Sequence, residues 1–283
     1  MKQTQNKNTK DVITIAKDYY NSPDADFFYE EVWGGEDIHI GIYTDDKISI
    51  KDASRNTINL MLGQLKTPIT KETKILDIGS GYGGAARFIA KEYGANITCL
   101  NLSETENNLN RKKNYELGID SNIQVLEGNF EELPFDPSSF DIVWSEDAIL
   151  HSPNKEQVFF EVDRVLKSGG EFIFTDPMQS SNCPEGSLRS IYDRIHLDNL
   201  GSVSLYNSLA EKLLWENFGF LNLSENIAKH YSAVRKTIEE EKVLLVLKIS
   251  NEFLERMSKG LGHWIVGGEK GYLEWGILHF RKP

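Results

Sequence analysis

Leu76-Asp77-Ile78-Gly79-Ser80-Gly81-Tyr82-Gly83-Gly84 is the stretch on which the fold of this 283-residue chain turns. A short apolar run ends in an aspartate and then in four glycines, so a strand stops and the backbone turns tightly into a helix. Reading outward, ILDIG is a strand, 82–93 a helix, NITCLN a strand and 103–117 a helix. Ser103 and Glu106 have the S-x-x-E spacing of a capping box, which marks that helix's start. NIQVLEG, FDIVWS and GEFIFTD are further strands, and a helix at about 154–167 between the last two ends at Gly169 and Gly170. Strands alternating with helices predict a parallel sheet covered on both faces, at about 74–176.

The flanks have a looser rhythm. Residues 1–10 read as a polar tail and 11–33 as helical, crowded with aromatics, before a break at Gly34 and Gly35. Residues 50–65 read as a helix, with Ile58, Leu62 and Leu65 on one face. Beyond the sheet, 178–203 is loop-rich with a short helix near 186–197, and 204–218 reads as an amphipathic helix stopped by Gly219. Residues 228–260 read as helical and 271–281 as a last strand.

Composition narrows the function classes. Hydrophobic residues make up 40% and charged residues 26%, as in an ordinary globular protein. The net charge of −12 repels phosphate backbones, so no nucleic-acid partner is expected. Two cysteines, Cys99 and Cys183, make neither a disulfide framework nor a thiolate metal site, and no metal is expected. No run approaches the roughly 20 apolar residues that span a bilayer. The expectation is a cytoplasmic enzyme with no membrane partner.

Gly79, Gly81 and Gly84 satisfy G-x-G-x-x-G, a spacing shared with dinucleotide-binding proteins. Two features favour a different ligand. Asp77 stands two residues before the first glycine, where a carboxylate serves an ammonium better than a pyrophosphate. No Asp or Glu closes the second strand, where an NAD(P)-dependent oxidoreductase, one alternative reading, needs one for its ribose. Asn101 is there instead and can bind vicinal hydroxyls without charge, with Leu102 beside it to cover a purine face. Asn129 and Phe130, after the third strand, suit an adenine edge: a side-chain oxygen for the amino group and a backbone N–H for a ring nitrogen. Each position has a plainer reading beside this one: a tight turn with a solvated aspartate, a polar strand end, a polar turn.

Together these segments resemble the class I S-adenosylmethionine (SAM)-dependent methyltransferases. Within them the chain is similar to the glycine betaine-forming N-methyltransferases, which act on sarcosine and dimethylglycine. The resemblance runs through DFFYEEVWGGEDIHIGIY, LDIGSGYGG, CLNLSE, WSEDAILHS, YDRIHLDNLGS and WGILHFRK, over essentially the whole chain. It implies an α/β, Rossmann-like fold: a mostly parallel seven-stranded sheet flanked by helices, with a helical lid and cap. The expected division is 1–65 as the lid, 66–177 as the SAM-binding core, and 178–283 as the remaining strands with the substrate cap.

The resemblance also implies roles. Asp77, Gly79 and Gly81 hold the methionine part of SAM, Asn101 and Leu102 the ribose and adenine edge, and Asn129 and Phe130 the adenine. Trp144 and Ser145 line the methyl side. Asn101 and Asn129 depart from the superfamily's usual acidic residues. Enzymes that methylate phosphoethanolamine carry a similar D-A-I-L-H string, whose histidine pairs with an N-terminal tyrosine. By that likeness Asp147 and His151 sit beside the transferred methyl, with Tyr19 or Tyr20 as latch. The plainer readings are a buried hydrogen-bonded histidine and simple aromatic packing.

A glycine-derived acceptor carries a carboxylate, for which an arginine fork is the natural partner. Arg194, ahead of Arg189, is the candidate; His39 is a lid candidate and Trp144 an aromatic neighbour of the acceptor. Against these stand ordinary surface arginines. Rival acceptors on the same fold are phosphoethanolamine, which calls for several basic side chains in the cap, and a carbon or oxygen nucleophile. A SAM-binding scaffold without activity would show a blocked acceptor pocket. The expected partner is a small-molecule amine, and a homodimer is left open.

Overall fold

A computed structural model describes residues 14, 17, 21–45 and 47–283. Tyr19 and Tyr20 lie outside the described residues, and with them most of the expected helix over 11–22. A helix does begin inside the expected 11–33 span, at α1 (Pro23–Glu31), with Ser22 as its N-cap accepting from Ala25 N–H at 3.3 Å. Serine followed by proline is a start signal, because proline's missing N–H is unneeded in the first turn.

In chain order there follow α2 (Ile50–Gln64), β1 (Lys74–Ile78), α3 (Gly84–Tyr93), β2 (Asn96–Asn101), α4 (Glu104–Glu116), β3 (Ile123–Glu127) and β4 (Phe140–Glu146). Next are a single 3-10 turn at Ile149–His151, α5 (Lys155–Val165), β5 (Leu166–Thr175), β6 (Met178–Gln179), α6 (Arg189–Ile195) and α7 (Val203–Lys212). The chain then forms β7 (Glu216–Asn222), α8 (Glu225–Glu240), α9 (Lys242–Leu245), α10 (Asn251–Glu269), β8 (Leu273–Glu274) and β9 (Gly276–Arg281).

Seven strands make one sheet in the order β3-β2-β1-β4-β5-β9-β7. β1 to β5 pair in parallel, and β9 runs antiparallel between β5 and β7. The strand order reverses between β1 and β4, which opens a crevice at their C-terminal ends, the usual ligand site of an open α/β sheet. Alternate strand residues feed separate cores. Ile142, Trp144 and Ile173 pack with α2 and α3 on one face, whereas Val143, Phe172 and Phe174 pack with α5 and α7 on the other. A third cluster, built on Phe28, Trp33, Tyr231, Phe253 and Trp264, belongs to the cap helices α1, α8 and α10.

Three sequence readings fail here: the helix expected over 228–260 is broken between Glu240 and Asn251, where only the short α9 intervenes, and two glycine stops are misread. Gly169 and Gly170 do not stop a helix: α5 ends at Val165, Leu166 turns straight into extended backbone, and both glycines lie inside β5. The register shift between Phe140 and Ile142 on the paired strand absorbs them. The helix expected over 204–218 stops at Lys212, and 216–222 is an edge strand with Gly219 inside it. Leu214 takes a left-handed turn (φ 59°) between them, a conformation that sequence periodicity does not reveal.

Candidate active site

Three adjoining cavities open at the crevice. The largest, about 850 Å³, runs from Gly79 and Gly81 past Asn101, Leu102 and Glu106 to Gly128, Asn129 and Phe130. A smaller one of about 320 Å³ lies against the glycine turn and is walled by Glu36, Asp37, His39, Asp77 and Glu146. The third, about 620 Å³, lies under the cap and is lined by Tyr29, Trp33, Arg194, Tyr231, Leu261 and Trp264, among others. Asp147, His151 and Ile38 border both the first and the third, so these two cavities meet at those residues.

The glycine turn is shaped by close approach. A Cβ on Gly79 would lie 2.3 Å from that of Ala148, and the residue's φ of 78° is left-handed. Beside it the small cavity concentrates buried carboxylates. Burial raises the Asp77 carboxyl well above its ordinary range, and the charge of Glu146 adds to the effect. Burial likewise pushes Glu146 up to about 7 against the opposing pull of His39, and raises Asp37. His39 Nε2 stands 3.3 Å from Glu146 Oε1, but neither atom completes a hydrogen bond among the described residues. Burial alone would lower His39; Glu146, Asp37 and Asp147 hold it above its ordinary value. A pocket of buried carboxylates, raised above their ordinary range and stabilised in their charged form by a cation, fits a cation better than a pyrophosphate. SAM, with its ammonium and sulfonium, matches that donor set.

The ribose end differs from the sequence reading. Asn101 Nδ2 donates to Glu106 Oε2 at 2.6 Å, and Glu106, on the cavity wall, keeps its buried Oε1 without a partner among the described residues. Burial lifts Glu106 to about 7. Asn101 therefore orients a carboxylate that sequence reasoning missed. Ser103 does cap α4, accepting from Glu106 N–H at 3.2 Å, but Glu106 turns its side chain to the ligand cavity instead of closing the box. An S-x-x-E box that starts two residues after the strand-end Asn101 was the signal available. Its presence also removes the missing-carboxylate argument against a dinucleotide; the acidity of the small cavity replaces it. Asn129 reaches the same wall, with its Oδ1 already accepting from Glu131 N–H at 2.9 Å, so it braces its own turn.

Trp144 and Ser145 do not line these cavities. Trp144 is fully buried in the α2/α3 core, and Ser145 Oγ donates to the Ile78 carbonyl at 2.9 Å. The even spacing along β4 sends the Trp144 side chain into a sheet face, away from the strand's end. His39 is likewise displaced from the acceptor cavity to the acidic one.

Asp147 and His151 do reach the junction, in unequal roles. Asp147, at φ 51°, accepts from Ile40 N–H and from Trp275 Nε1–H, each at 2.7 Å. Its carboxylate is a clasp between the lid segment and the C-terminal strand region. His151 ends the 3-10 turn, which is bracketed from beneath. Asp176 accepts from Leu150 N–H at 2.8 Å, and Lys155 Nζ donates to the Ser152 carbonyl at 2.9 Å. Burial, then Lys155 and Arg194, lowers His151 to about 4, so its imidazole is neutral at pH 7.

The third cavity is aromatic. Ring centroids run Tyr29–Trp33 at 5.3 Å, Trp33–Tyr231 at 5.8 Å and Tyr231–Trp264 at 5.3 Å, a continuous wall. Arg194, from the last turn of α6, lines it, with Nη2 on Met257 Sδ at 2.9 Å and Nη1 buried without a partner among the described residues. Trp33 Nε1 is a second buried donor without one among the described residues. Arg189 lies on the surface, paired with Asp193 at 2.8 Å.

Residues 76–174 match the family described as a methyltransferase domain. The chain is 48% identical over 270 residues to the sarcosine/dimethylglycine N-methyltransferase of Halorhodospira halochloris, covering 95% of this chain and 96% of that one. It is 50% identical to the Aphanothece halophytica enzyme of the same name, covering 96% and 98%. Among solved structures, a Galdieria sulphuraria protein described as a candidate sarcosine dimethylglycine methyltransferase superposes with a TM-score of 0.88 at 40% identity, over 93% and 98% of the two chains.

Proposed function

The chain belongs to the sarcosine/dimethylglycine N-methyltransferases, a SAM-dependent family, and on that premise we propose that it methylates the nitrogen of sarcosine and of dimethylglycine, ending in glycine betaine. One observation carries the reading of the acceptor: Arg194 and Trp33, which line an aromatic cavity that meets the cofactor cleft at His151, each carry a buried donor, Nη1 and Nε1, without a partner among the described residues. A buried guanidinium without an anion calls for one. Aromatic faces favour a methylated ammonium. An acceptor with a carboxylate at one end and a methylated nitrogen at the other satisfies both. A phosphorylated amine fits less well, since Arg194 is the only Lys or Arg on that cavity wall among the described residues.

The cofactor is SAM. When bound, it supplies a methyl group already activated on a sulfonium. In our assignment Asp77 and Glu146 hold its positive end, Asn101 and Glu106 the ribose, and Leu102, Asn129 and Phe130 the adenine. Arg194 and Trp33 anchor the acceptor carboxylate, so the nitrogen is presented to the junction between cavities. The nitrogen must be neutral to attack. An aliphatic amine has a pKa near 10, so its neutral form at pH 7 costs about 4 kcal/mol. Burial among rings and beside Arg194 lowers that cost. A bound carboxylate also offsets one of the two charges that hold His151 down, which raises its capacity to take the proton.

We assign residues 1–65 to a lid, 66–177 to the SAM-binding core, and 178–283 to the remaining strands and acceptor cap. Hydrogen bonds from Ile40 N–H to Asp147 and from Ser103 Oγ to Asn21 Oδ1 support a lid fastened to the core. No helix among the described residues is long and apolar enough to cross a membrane. The net charge of −12 supports a site of action away from nucleic acid, and two free cysteines support the cytoplasm. A methyl-transfer assay with glycine, sarcosine, dimethylglycine and phosphoethanolamine tests the substrate assignment. Turnover of sarcosine and dimethylglycine is expected; turnover of phosphoethanolamine alone would overturn it.

A further inference from the structure

α10 presents Met257, Gly260, Leu261 and Trp264 along one helical face, at i, i+3, i+4 and i+7, and this face packs on α6 and the acceptor cavity. Gly260 stands mid-helix, where glycine is a poor helix former, and its ordinary right-handed backbone makes no demand for one. The reason for its presence is steric. A Cβ at Gly260 would lie 1.8 Å from Arg194 Nη1, 2.7 Å from its Cζ and 3.1 Å from its Cδ. The planar fork lies in the volume a side chain would fill, and Nη2 rests on Met257 one turn before.

The other glycines of α10 differ. A Cβ on Gly262 would come no nearer than 3.6 Å to Arg235, an ordinary contact, and those on Gly267 and Gly268 would meet apolar side chains or backbone. Gly260 alone among the four faces the guanidinium of the acceptor cavity.

We propose that Gly260 is a specificity-determining residue: it is the notch that seats the Arg194 guanidinium, and it thereby sets the depth at which the acceptor carboxylate is held. The inference rests on the assignment of Arg194 to that carboxylate. An added methyl must push the fork off α10 by more than about 1 Å to restore contact distance, and misplacement of that size is enough to spoil attack geometry. The effect falls on the acceptor and leaves the cofactor cleft alone, because Gly260 and Arg194 do not line it.

The test is a double-mutant cycle of Gly260→Ala and Arg194→Ala, read as KM and kcat for dimethylglycine, SAM affinity by calorimetry, and Tm. Arg194→Ala alone should raise KM roughly thirtyfold or more. Gly260→Ala should raise KM about tenfold, leave SAM affinity within about twofold, and leave Tm equal or higher, since alanine favours the helix. In the Arg194→Ala background, Gly260→Ala should add less than about twofold, because its effect runs through the guanidinium. Gly262→Ala, the control for alanine on α10, should leave KM unchanged. An equal penalty from Gly260→Ala with and without Arg194, or one that comes with a lowered Tm, would mean plain packing and overturn the inference. So would a Gly260→Ala KM within about twofold of wild type while Arg194→Ala keeps its large effect. A KM for Arg194→Ala within about threefold of wild type removes the carboxylate assignment itself, and the inference with it.

Discussion

The cofactor cleft and the acceptor cavity share a border but are built on opposite plans. The cleft is made chiefly of loops at the ends of β1, β2, β3 and β4, in short segments between 77 and 153, and its acidic positive-end pocket adds Glu36, Asp37 and His39 from the N-terminal segment. The acceptor cavity draws on α1, α6, α8 and α10, spread from Tyr29 to Trp264, and carries a cation in an aromatic wall. In the proposed arrangement the opposite local charges on the two sides of His151 favour one placement of the two ligands: the acceptor carboxylate toward Arg194, the sulfonium toward Asp77 and Glu146.

The comparison can be broken by mutation. The largest effect is expected at the acidic end. Asp77→Ala should weaken SAM binding by about 3 kcal/mol, roughly a hundredfold, when measured by calorimetry, while KM for dimethylglycine at saturating SAM stays within about threefold. A matching rise in the acceptor KM would mean the two cavities are not separable. Next comes the ribose end. Glu106→Gln keeps the shape and the bond to Asn101 but loses the charge, and SAM affinity should fall about tenfold. An unchanged affinity would return the ribose to Asn101 alone.

On the acceptor side the corresponding change is smaller. Trp33→Phe keeps an aromatic face and removes one buried donor. It should raise KM for dimethylglycine about fivefold, near 1 kcal/mol, with SAM affinity unaffected. If KM does not move, Trp33 serves the cavity through packing alone.

The same contrast governs how much of the molecule could be read from its sequence. The sheet, its order of strands and helices up to Thr175, and the ligand crevice follow from periodicity and the glycine turn, because those signals are local. Asp77, Gly79, Gly81, Asn101, Leu102, Asn129 and Phe130 line the cavities for the same reason. Glu106 was hidden behind a capping signal that it satisfies only in part. Trp144 was misplaced because a motif gives a residue's position along a strand but not the face to which it points. The acceptor wall was least legible. Tyr29, Trp33, Tyr231 and Trp264 are ordinary helix residues in sequence and become a site only when distant helices pack. Arg194 was suggested by the chemistry of the acceptor, not by any local pattern, and it lies on the cavity wall.

The gentlest probe is pH. Glu106 and Glu146, raised by burial to about 7, keep protons in the folded chain that the unfolded chain has already released by about pH 6.5. Between about pH 6.5 and 8 the folded state therefore binds more protons, and stability falls as pH rises, by about 1 kcal/mol for each carboxylate. His39, held above its ordinary value, works in the same direction. His151 and His230, lowered to about 4 and about 3, work in the opposite direction, because the unfolded chain's histidines still hold part of a proton near pH 6.5, and they offset part of the decline at the lower end of that window. Thermal melts without SAM should show Tm declining from pH 6.5 to 8, and the decline should shrink in Glu146→Gln. A flat profile in the wild-type protein would show that these carboxylates are already balanced without a cation.

β9 lies between β5 and β7, although it comes last of the three in the chain. During synthesis, β5 waits with one open edge until residues 276–281 emerge, and β7 has no partner strand until then. Trp275, which holds Asp147 at the junction of the cavities, arrives in the same last stretch. The glycine turn, by contrast, is complete some two hundred residues earlier. A nascent chain on the ribosome thus owns its cofactor motif long before it owns the clasp at the junction of the cavities, and catalysis must wait for residues 275–281.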